Sequence, residues 1–365
     1  MKTKCKYNRI LFVHENVTNG GGEKMFRWLG QNLKKRGYNI KFLFMYENPE
    51  IDLSGLDADC AGLSISESYL FRNIRYFTIG TYKLYRYIKE NNVKYIVSFG
   101  TNSFYLLGAF KSLLDIRILV SERADPQFRR FGWLRKKLFA KADYSVFQTQ
   151  GAMNFYKFNI PERSFIIPNP VHIPPLQWKD EETKNIIVSV GRIDIGHKRQ
   201  DVLVKAYAIV HHQHPEARLK IVGDGNDKER LKNLVSDLGL SENIFFTGQV
   251  KDVYSEMIDS KIFVLTSDFE GIPNALLEAM ALGLPVISTD CTPGGAAFLI
   301  EDNKYGRLVP RGDVEKVAEQ IVSLLEDKNA RIKLGEAARR HVCEFKEDNI
   351  IKQWDEVINK MLERV

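Results

Sequence analysis

The chain has 365 residues and a formal net charge of +7; at about 150 residues per domain, that length implies two domains. With 44% hydrophobic and 11% aromatic residues each half can bury a core, which excludes global disorder, and no apolar run reaches the roughly 18 residues of a membrane-spanning helix. Four cysteines without close spacing (Cys5, Cys60, Cys291, Cys343) exclude a disulfide framework and a cysteine-based zinc site.

Residues 1–7 pass straight into a short apolar run with no signal-peptide core, so the expectation is a reduced, cytoplasmic protein. In chain order, Arg9–His14 predicts a buried strand and Asn19–Gly22 a loop. Glu23–Arg36 predicts a helix with Met25, Phe26, Leu29 and Leu33 on one stripe. Further strands are expected at Asn39–Met45, Tyr95–Phe99, Arg117–Ser121 and Tyr144–Phe147, with helical stretches between them. Residues 168–175 hold four prolines, which remove backbone donors and disfavour helix, so 168–178 reads as a linker.

The second half repeats the alternation. Strands are expected at Ile186–Val190, Leu219–Val222, Ile244–Phe246, Ile262–Leu265 and Pro285–Ser288. Helices fit Arg199–His212, Lys228–Leu238, Asn274–Leu282, Val314–Leu325 and Ala330–Cys343. The fold class is therefore α/β, two tandem Rossmann-like doubly wound domains facing a central cleft. The expected division is 1–170, 179–346 and a C-terminal helical stretch, 347–365, packing back across the domains.

The most informative stretch runs from Ser267 to Pro285. Pro273 sits where a helix should begin, and the helix from Asn274 is apolar almost all round except for Glu278. A carboxylate there costs several kcal/mol by order of magnitude unless paired. It is either a core glutamate paired with an arginine or a ligand contact. Glu270 lies in the loop at the helix mouth, where Gly271 admits a ligand to the backbone and free N–H groups favour phosphate. Gly191-Arg-Ile-Asp-Ile-Gly-His-Lys198 follows the first strand of this half, so Arg192 and Lys198 can converge on one phosphate group. Gly223-Asp-Gly225 follows the next strand; it fits either the same site or an ordinary turn. In the first half, Gly20–Gly22 allow backbone N–H groups to approach an anion. Neither a Gly-x-Gly-x-x-Gly nor a Gly-x-x-x-x-Gly-Lys-Ser/Thr occurs, so a standard dinucleotide site and a P-loop are both unsupported.

Together these residues resemble the family 4 retaining glycosyltransferases of GT-B fold, and among them bacterial enzymes building capsular or lipid-linked polysaccharide. The resemblance spans the chain and is stronger from Ile186 to Leu308. Its signature is two glutamates separated by seven residues, here Glu270-Gly-Ile-Pro-Asn-Ala-Leu-Leu-Glu278. It implies that Glu270 contacts the hydroxyls of a nucleotide-linked donor sugar and Glu278 the ribose. Backbone at Ile272, Asn274 and Ala275 would hold the distal phosphate beside donor-lining Gly271, with Arg192 and Lys198 on the diphosphate. Gly21, Gly22 and Gly223 would line the donor, and Phe246–Val250 resembles the strand and loop whose backbone reads the base. Where many members carry a histidine after an N-terminal-domain strand, this chain has Val120-Ser-Glu-Arg-Ala-Asp-Pro126. Arg123 there fits a phosphate or acceptor contact, or a structural Glu122–Arg123 network. His14 is a second cleft residue or a core histidine.

The implied activity is hexosyl or N-acetylhexosaminyl transfer from a nucleotide sugar, a UDP-sugar by family prior, needing no metal or other cofactor. Asp57-Ala-Asp59 is the only Asp-x-Asp and falls away from the expected cleft loops. Alternatives are a non-catalytic nucleotide-sugar or glycan-binding protein and a sugar-nucleotide epimerase. The acceptor side reads from charge: residues 1–180 carry a net +13 and 181–365 a net −6. Segments 69–89 and 127–141 interleave arginines and lysines with aromatics, the pattern of contact with an anionic membrane surface; ordinary basic helices with an apolar core face are the alternative. No nucleic-acid-binding motif accompanies the charge. The expectation is a peripheral protein at the inner face of the cell membrane, receiving a polyprenyl-diphosphate-linked glycan.

Overall fold

The computed structural model describes residues 9–15, 21–46, 56–63, 75–99, 101–128, 132–156 and 161–363. The chain divides into two compact units, Met1–Asn169 with Asp348–Val365, and Pro170–Glu347. The first division falls among the prolines of the linker, where missing N–H groups prevent either sheet from continuing.

The first unit is built on seven strands: β1 (Arg9–His14), β2 (Asn39–Tyr46), β3 (Ala58–Leu63), β4 (Tyr95–Phe99), β5 (Arg117–Ser121), β6 (Tyr144–Phe147) and β7 (Ser164–Ile166). All pairs are parallel, in the order β3-β2-β1-β4-β5-β6-β7. Strands covered on both faces read as continuous apolar runs, which is why β1, β4, β5 and β6 are legible at their full extent. Phe26, from helix Gly21–Lys35, packs edge-on against Phe42, Phe44 and Phe99 at 5.3–5.6 Å. The C-terminal helix, Glu347–Glu363, groups with this unit. Trp354 stacks on Phe99 at 5.8 Å and the Arg117 guanidinium donates to the Met361 carbonyl at 3.0 Å.

The second unit holds β8 (Ile186–Val190), β9 (Arg218–Val222), β10 (Ile244–Gly248), β11 (Ile262–Leu265), β12 (Val286–Thr289) and β13 (Arg307–Val309). They too are all parallel, in the order β10-β9-β8-β11-β12-β13. A buried pair, Asp180 with Arg331, ties the segment entering this unit to helix Lys328–Val342.

Three strands escape the sequence reading. β3, β7 and β13 lie at sheet edges, and β7 and β13 have three residues each. Half-covered edges carry polar residues and show no apolar run; only Leu63 of β3 is buried. The expected loop over Asn19–Gly22 is corrected in part: Gly21 and Gly22 form the first helical turn, with Glu23 favourably placed at the positive end of the helix. Asn19 and Gly20 lie outside the described residues.

Candidate functional site

In the second unit the strand order reverses beside β8, with β9 and β10 to one side and β11–β13 to the other. Loops at the carboxyl ends of strands beside such a reversal form the binding crevice of open parallel sheets. The loops leaving β8 and β11 carry Arg192, Lys198 and Glu270, and they are knitted together.

Lys198 Nζ donates to Glu270 Oε1, which also accepts from Ser267 Oγ at 2.9 Å. The two charged side chains are only 18% and 12% exposed, so each needs a partner to offset lost hydration. Thr266 Oγ1 lies 3.1 and 2.9 Å from the carbonyls of Lys198 and Arg199, and the Asp268 amide donates to the His197 carbonyl at 2.9 Å. The His197 ring lies flat on Phe269, with centroids 4.1 Å apart and planes within 4°. Its Nε2 is 2.6 Å from the Phe269 carbonyl. A carbonyl only accepts, so Nε2 carries the proton. Burial lowers the pKa of this histidine, against the opposing pull of the Glu270 charge 3.8 Å away.

The β9 loop holds the Arg192 loop from the other side. A Cβ on Gly223 would lie 2.0 Å from the Gly191 carbonyl oxygen, and one on Gly225 would lie 2.1 Å from that of Ile193. Gly223 also has φ +136°, outside the range of ordinary L residues. The Ile193 amide donates to the Asp224 carbonyl at 3.0 Å and the Ile195 amide to Asp227 Oδ2 at 2.8 Å. The buried Gln200 amide clamps the same loop, donating to the Arg192 carbonyl at 2.8 Å and accepting from the Asp194 amide at 3.2 Å. The Arg192 backbone is thereby fixed while its side chain, 65% exposed, bonds Asp194 at 2.7 Å. The carboxyl end of β10 joins the same cluster, since Gly223 N–H donates to the Gly248 carbonyl at 2.9 Å; Val250 follows, half-buried.

On the β12 side, the Glu270 amide donates to the Thr292 carbonyl at 2.7 Å. A Cβ on Gly295 would fall 1.6 Å from the Gly271 carbonyl oxygen, so two loops touch backbone to backbone. Cys291, at the foot of this loop, is buried, and burial pushes its thiol up to about 12. Ile272 is buried, whereas Gly271, Asn274 and Ala275 are half-buried at the start of helix Asn274–Leu282. Glu278 is half-buried on that helix, and burial, helped by the Glu278 charge, raises the pKa of the Tyr254 phenol. Tyr254 in turn donates to the His172 carbonyl at 2.8 Å. Among these residues, Lys198 and Glu270 pair directly and Gly223 abuts the Gly191–Arg192 backbone, while Val250 and Glu278 sit on neighbouring elements.

In the first unit, Gly21 and Gly22 are exposed, and a Cβ on Gly22 would meet nothing within 4 Å. His14 ends β1 half-buried, its ring 5.1 Å from Phe26. Arg123 follows β5 and donates to the Ile167 carbonyl at 3.1 Å and to the Asn169 side chain. Beside it, buried Glu122 accepts from Tyr156 Oη at 2.9 Å. Arg123 is therefore held by the chain's own carbonyl and amide groups. Asp57 and Asp59 both pair with Lys41, at 2.7 and 3.0 Å, closing the β2–β3 edge.

Parts of the two basic segments, including Arg72, Arg129 and Arg130, lie outside the described residues. Lys83 and Lys141 donate to backbone carbonyls, of Ala61 and Gly62 and of Gly108, and serve the fold. Phe77, Tyr82 and Trp133 stand 49%, 58% and 64% exposed, beside exposed Arg86, Lys89 and Lys137.

Sequence reasoning missed Ser267, His197, Phe269 and the Arg199–Asp268 pair. The only available signal was their adjacency to Lys198 and Glu270, because contacts between loops some seventy residues apart leave no local pattern.

Residues 176–341 match the family model for glycosyl transferases group 1. An uncharacterised glycosyltransferase of Haemophilus influenzae is 25% identical over 357 residues, covering 96% of this chain and 99% of its own length. The N-acetylgalactosamine-N,N'-diacetylbacillosaminyl-diphospho-undecaprenol 4-alpha-N-acetylgalactosaminyltransferase of Campylobacter jejuni is 30% identical over 201 residues, 53% of this chain and 54% of that protein. The crystal structure of Anabaena HepE with UDP and glucose superposes with a TM-score of 0.82 over 97% of this chain and 100% of its own, at 16% identity, a likeness of fold alone. The two parallel-sheet units are thus those of the GT-B fold, and the family match and relatives support a group 1 glycosyltransferase.

Proposed function

We propose that this chain, whose residues 176–341 carry the group 1 glycosyl transferase match, moves a hexosyl or N-acetylhexosaminyl group from a nucleotide sugar, a UDP-sugar first, to a lipid-linked or polysaccharide glycan with retention of configuration. The observation that carries this reading is the pairing of Lys198 with Glu270 at the strand-order reversal. A cation and a carboxylate side by side suit a ligand with an anionic leaving group and a hydroxylated ring.

When donor enters, Lys198 leaves Glu270 for the diphosphate and Glu270 accepts hydrogen bonds from the sugar. Arg192, on a fixed backbone with an exposed side chain, closes on the same phosphates. As the bond from the anomeric carbon to the phosphate oxygen breaks, these cations and the amides opening helix Asn274–Leu282 take up the negative charge. The acceptor hydroxyl attacks from the same face, and its proton passes to the departing phosphate oxygen. No metal is needed in this scheme.

The acceptor reading rests on the +13 first half and on the Campylobacter relative, whose name includes an undecaprenol-linked diphosphate glycan. Exposed Phe77, Tyr82 and Trp133 beside Arg86, Lys89 and Lys137 fit an anionic leaflet, so the protein works as a peripheral protein at the inner face of the cell membrane. No helix of the described residues is long and apolar enough to cross a membrane.

A thermal-shift panel of nucleotide sugars tests the donor, because a ligand bound only by the native state raises its stability. Release of nucleoside diphosphate is then followed with and without undecaprenyl-diphosphate glycans. Acceptor-dependent release supports a transferase. A donor that binds without ever being turned over identifies a binding protein and sinks the catalytic reading.

A further inference from the structure

Arg199 directly follows Lys198 and adopts φ 52°, ψ 40°, the left-handed region, at the start of helix Gln200–Gln213. A residue with a Cβ meets a steric cost there that glycine does not. Nothing in the backbone role of this position calls for an arginine, so its side chain must account for it. The guanidinium donates to Asp268 Oδ2 at 2.9 Å and to the Asp201 carboxylate at 3.1 and 3.3 Å. The Arg199 carbonyl accepts from Thr266 Oγ1 at 2.9 Å.

Asp268 is the corresponding hub on the other loop. Its amide donates to the His197 carbonyl at 2.9 Å, its carboxylate receives Arg199, and its carbonyl accepts from the Thr292 amide at 3.2 Å and from Arg311 Nη1 at 3.4 Å. It stands two residues before Glu270. The segments carrying Lys198 and Glu270 are therefore cross-linked by a second ion pair beside Lys198–Glu270, each partner one or two residues from a charged group of the site.

We propose that the Arg199–Asp268 pair is a positioning device that sets the register of Lys198 against Glu270, so that the ammonium is aimed at the leaving diphosphate of the donor. This inference rests on the transferase reading above and names residues that touch neither donor nor acceptor. Arg199 takes a strained conformation because the strut it supplies spans two loops; glycine would fit the backbone and lose the strut.

The deciding variant is Arg199→Gly, which relieves the backbone cost while removing the pair. Turnover is expected to fall at least tenfold, with the donor KM changed by less than about threefold, because the cation is misplaced for charge that develops during bond breaking. The melting temperature stays within about 3 °C of the parent, since strain relief offsets the lost pair. Arg199→Lys, retaining a cation toward Asp268, recovers part of the turnover. Hydrogen exchange of the Asp268 and Glu270 amides is expected to speed up by tenfold or more in Arg199→Gly and by less in Arg199→Lys.

Parental turnover and unchanged exchange in Arg199→Gly would overturn the proposal. A fall in turnover with parental exchange would overturn it too, because the register would be intact. Should the parent protein transfer sugar from no nucleotide donor, the transferase reading fails. The exchange measurement then still decides whether the pair holds the two loops.

Discussion

Lys198 and Glu270, 72 residues apart in sequence, form a direct ion pair that closes the loops after β8 and β11 on each other. Removing either partner leaves the other charge sheltered and unpaired, whereas removing both leaves neither. Lys198→Ala and Glu270→Ala are each expected to cut turnover at least tenfold, about 1.4 kcal/mol. The double variant should melt no lower than the less stable single, the non-additivity expected of residues in contact. Initial rates and thermal melts on the three variants check this. Wild-type turnover in Glu270→Ala would remove the donor site from this position.

Arg192 offers the contrasting case. Its side chain is 65% exposed and its ion-pair partner among the described residues is Asp194, two residues away. Exposed pairs of this kind contribute little to stability. Arg192→Ala should therefore leave the melting temperature unchanged while lowering turnover at least tenfold. A variant that melts early with intact turnover would reassign Arg192 to the fold.

Gly223 and Gly295 test the backbone contacts that shape the site. A Cβ would meet the Gly191 carbonyl oxygen at 2.0 Å from Gly223 and the Gly271 carbonyl oxygen at 1.6 Å from Gly295. Backbone oxygens cannot step aside as a flexible side chain can. Gly223→Ala and Gly295→Ala are expected to lose roughly 2–4 kcal/mol of stability and most donor binding. Gly22→Ala, where a Cβ has open space on an exposed helical turn, is the comparison and should fold like the parent. Urea unfolding midpoints distinguish the three.

How much of this was readable in advance follows from the range of the forces involved. Strands buried on both faces, such as β8 with Ile186–Val190, announce themselves through local apolar runs, and Asn274–Leu282 through its Pro273 start. Edge strand β13, Arg307–Val309, is three residues long and half-covered, so it carries no such mark. Within the site, Glu270 and Lys198 were legible because their chemistry is visible as residue type beside a strand end. The His197–Phe269 stack and the Arg199–Asp268 pair depend on which loops the topology makes neighbours, and that is a property of strand order rather than of local sequence. Arg123 shows the reverse limit, since residue type left a ligand contact and a structural network both open, and only the fold reveals its bonds to the Ile167 carbonyl and the Asn169 side chain.

His197 links the site to pH. Burial lowers its pKa below the ordinary 6.5, so over the window between the two values the unfolded chain binds more protons than the folded one. Stability is thus complete above about pH 6.5 and declines as pH falls toward the folded-state pKa. His197→Gln keeps an N–H donor for the Phe269 carbonyl and removes the titration. Between pH 7.5 and 5.5 the parent should lose more stability than this variant. His341, whose pKa is also lowered by burial, is common to both proteins and cancels in the difference. Parallel pH curves for the two proteins would place the acid sensitivity elsewhere.

The exposed aromatics of the first unit lead to the last prediction. Helix Thr101–Phe110 packs against both helix Thr81–Glu90 and helix Gly132–Phe139, so Tyr82 and Trp133 flank one helical layer. Trp133 is 64% exposed, with Lys137 Nζ 5.5 Å from its ring, and Tyr82 is 58% exposed beside Arg86. An aromatic side chain at a lipid interface with cations alongside gains from both apolar insertion and the negative surface potential, about 1 kcal/mol for each Lys or Arg near the surface. Sedimentation with phosphatidylglycerol vesicles should retain the parent protein, and phosphatidylcholine vesicles should retain much less. Trp133→Ala is expected to weaken retention several-fold, and the Arg86→Glu, Lys137→Glu pair more strongly, with donor-induced thermal shifts unchanged. Raising the salt should weaken the parent's binding, as screening of surface charge requires. Equal retention on both lipids at all salt concentrations would count against a membrane-facing first unit and leave the +13 charge of residues 1–180 to act on the acceptor alone.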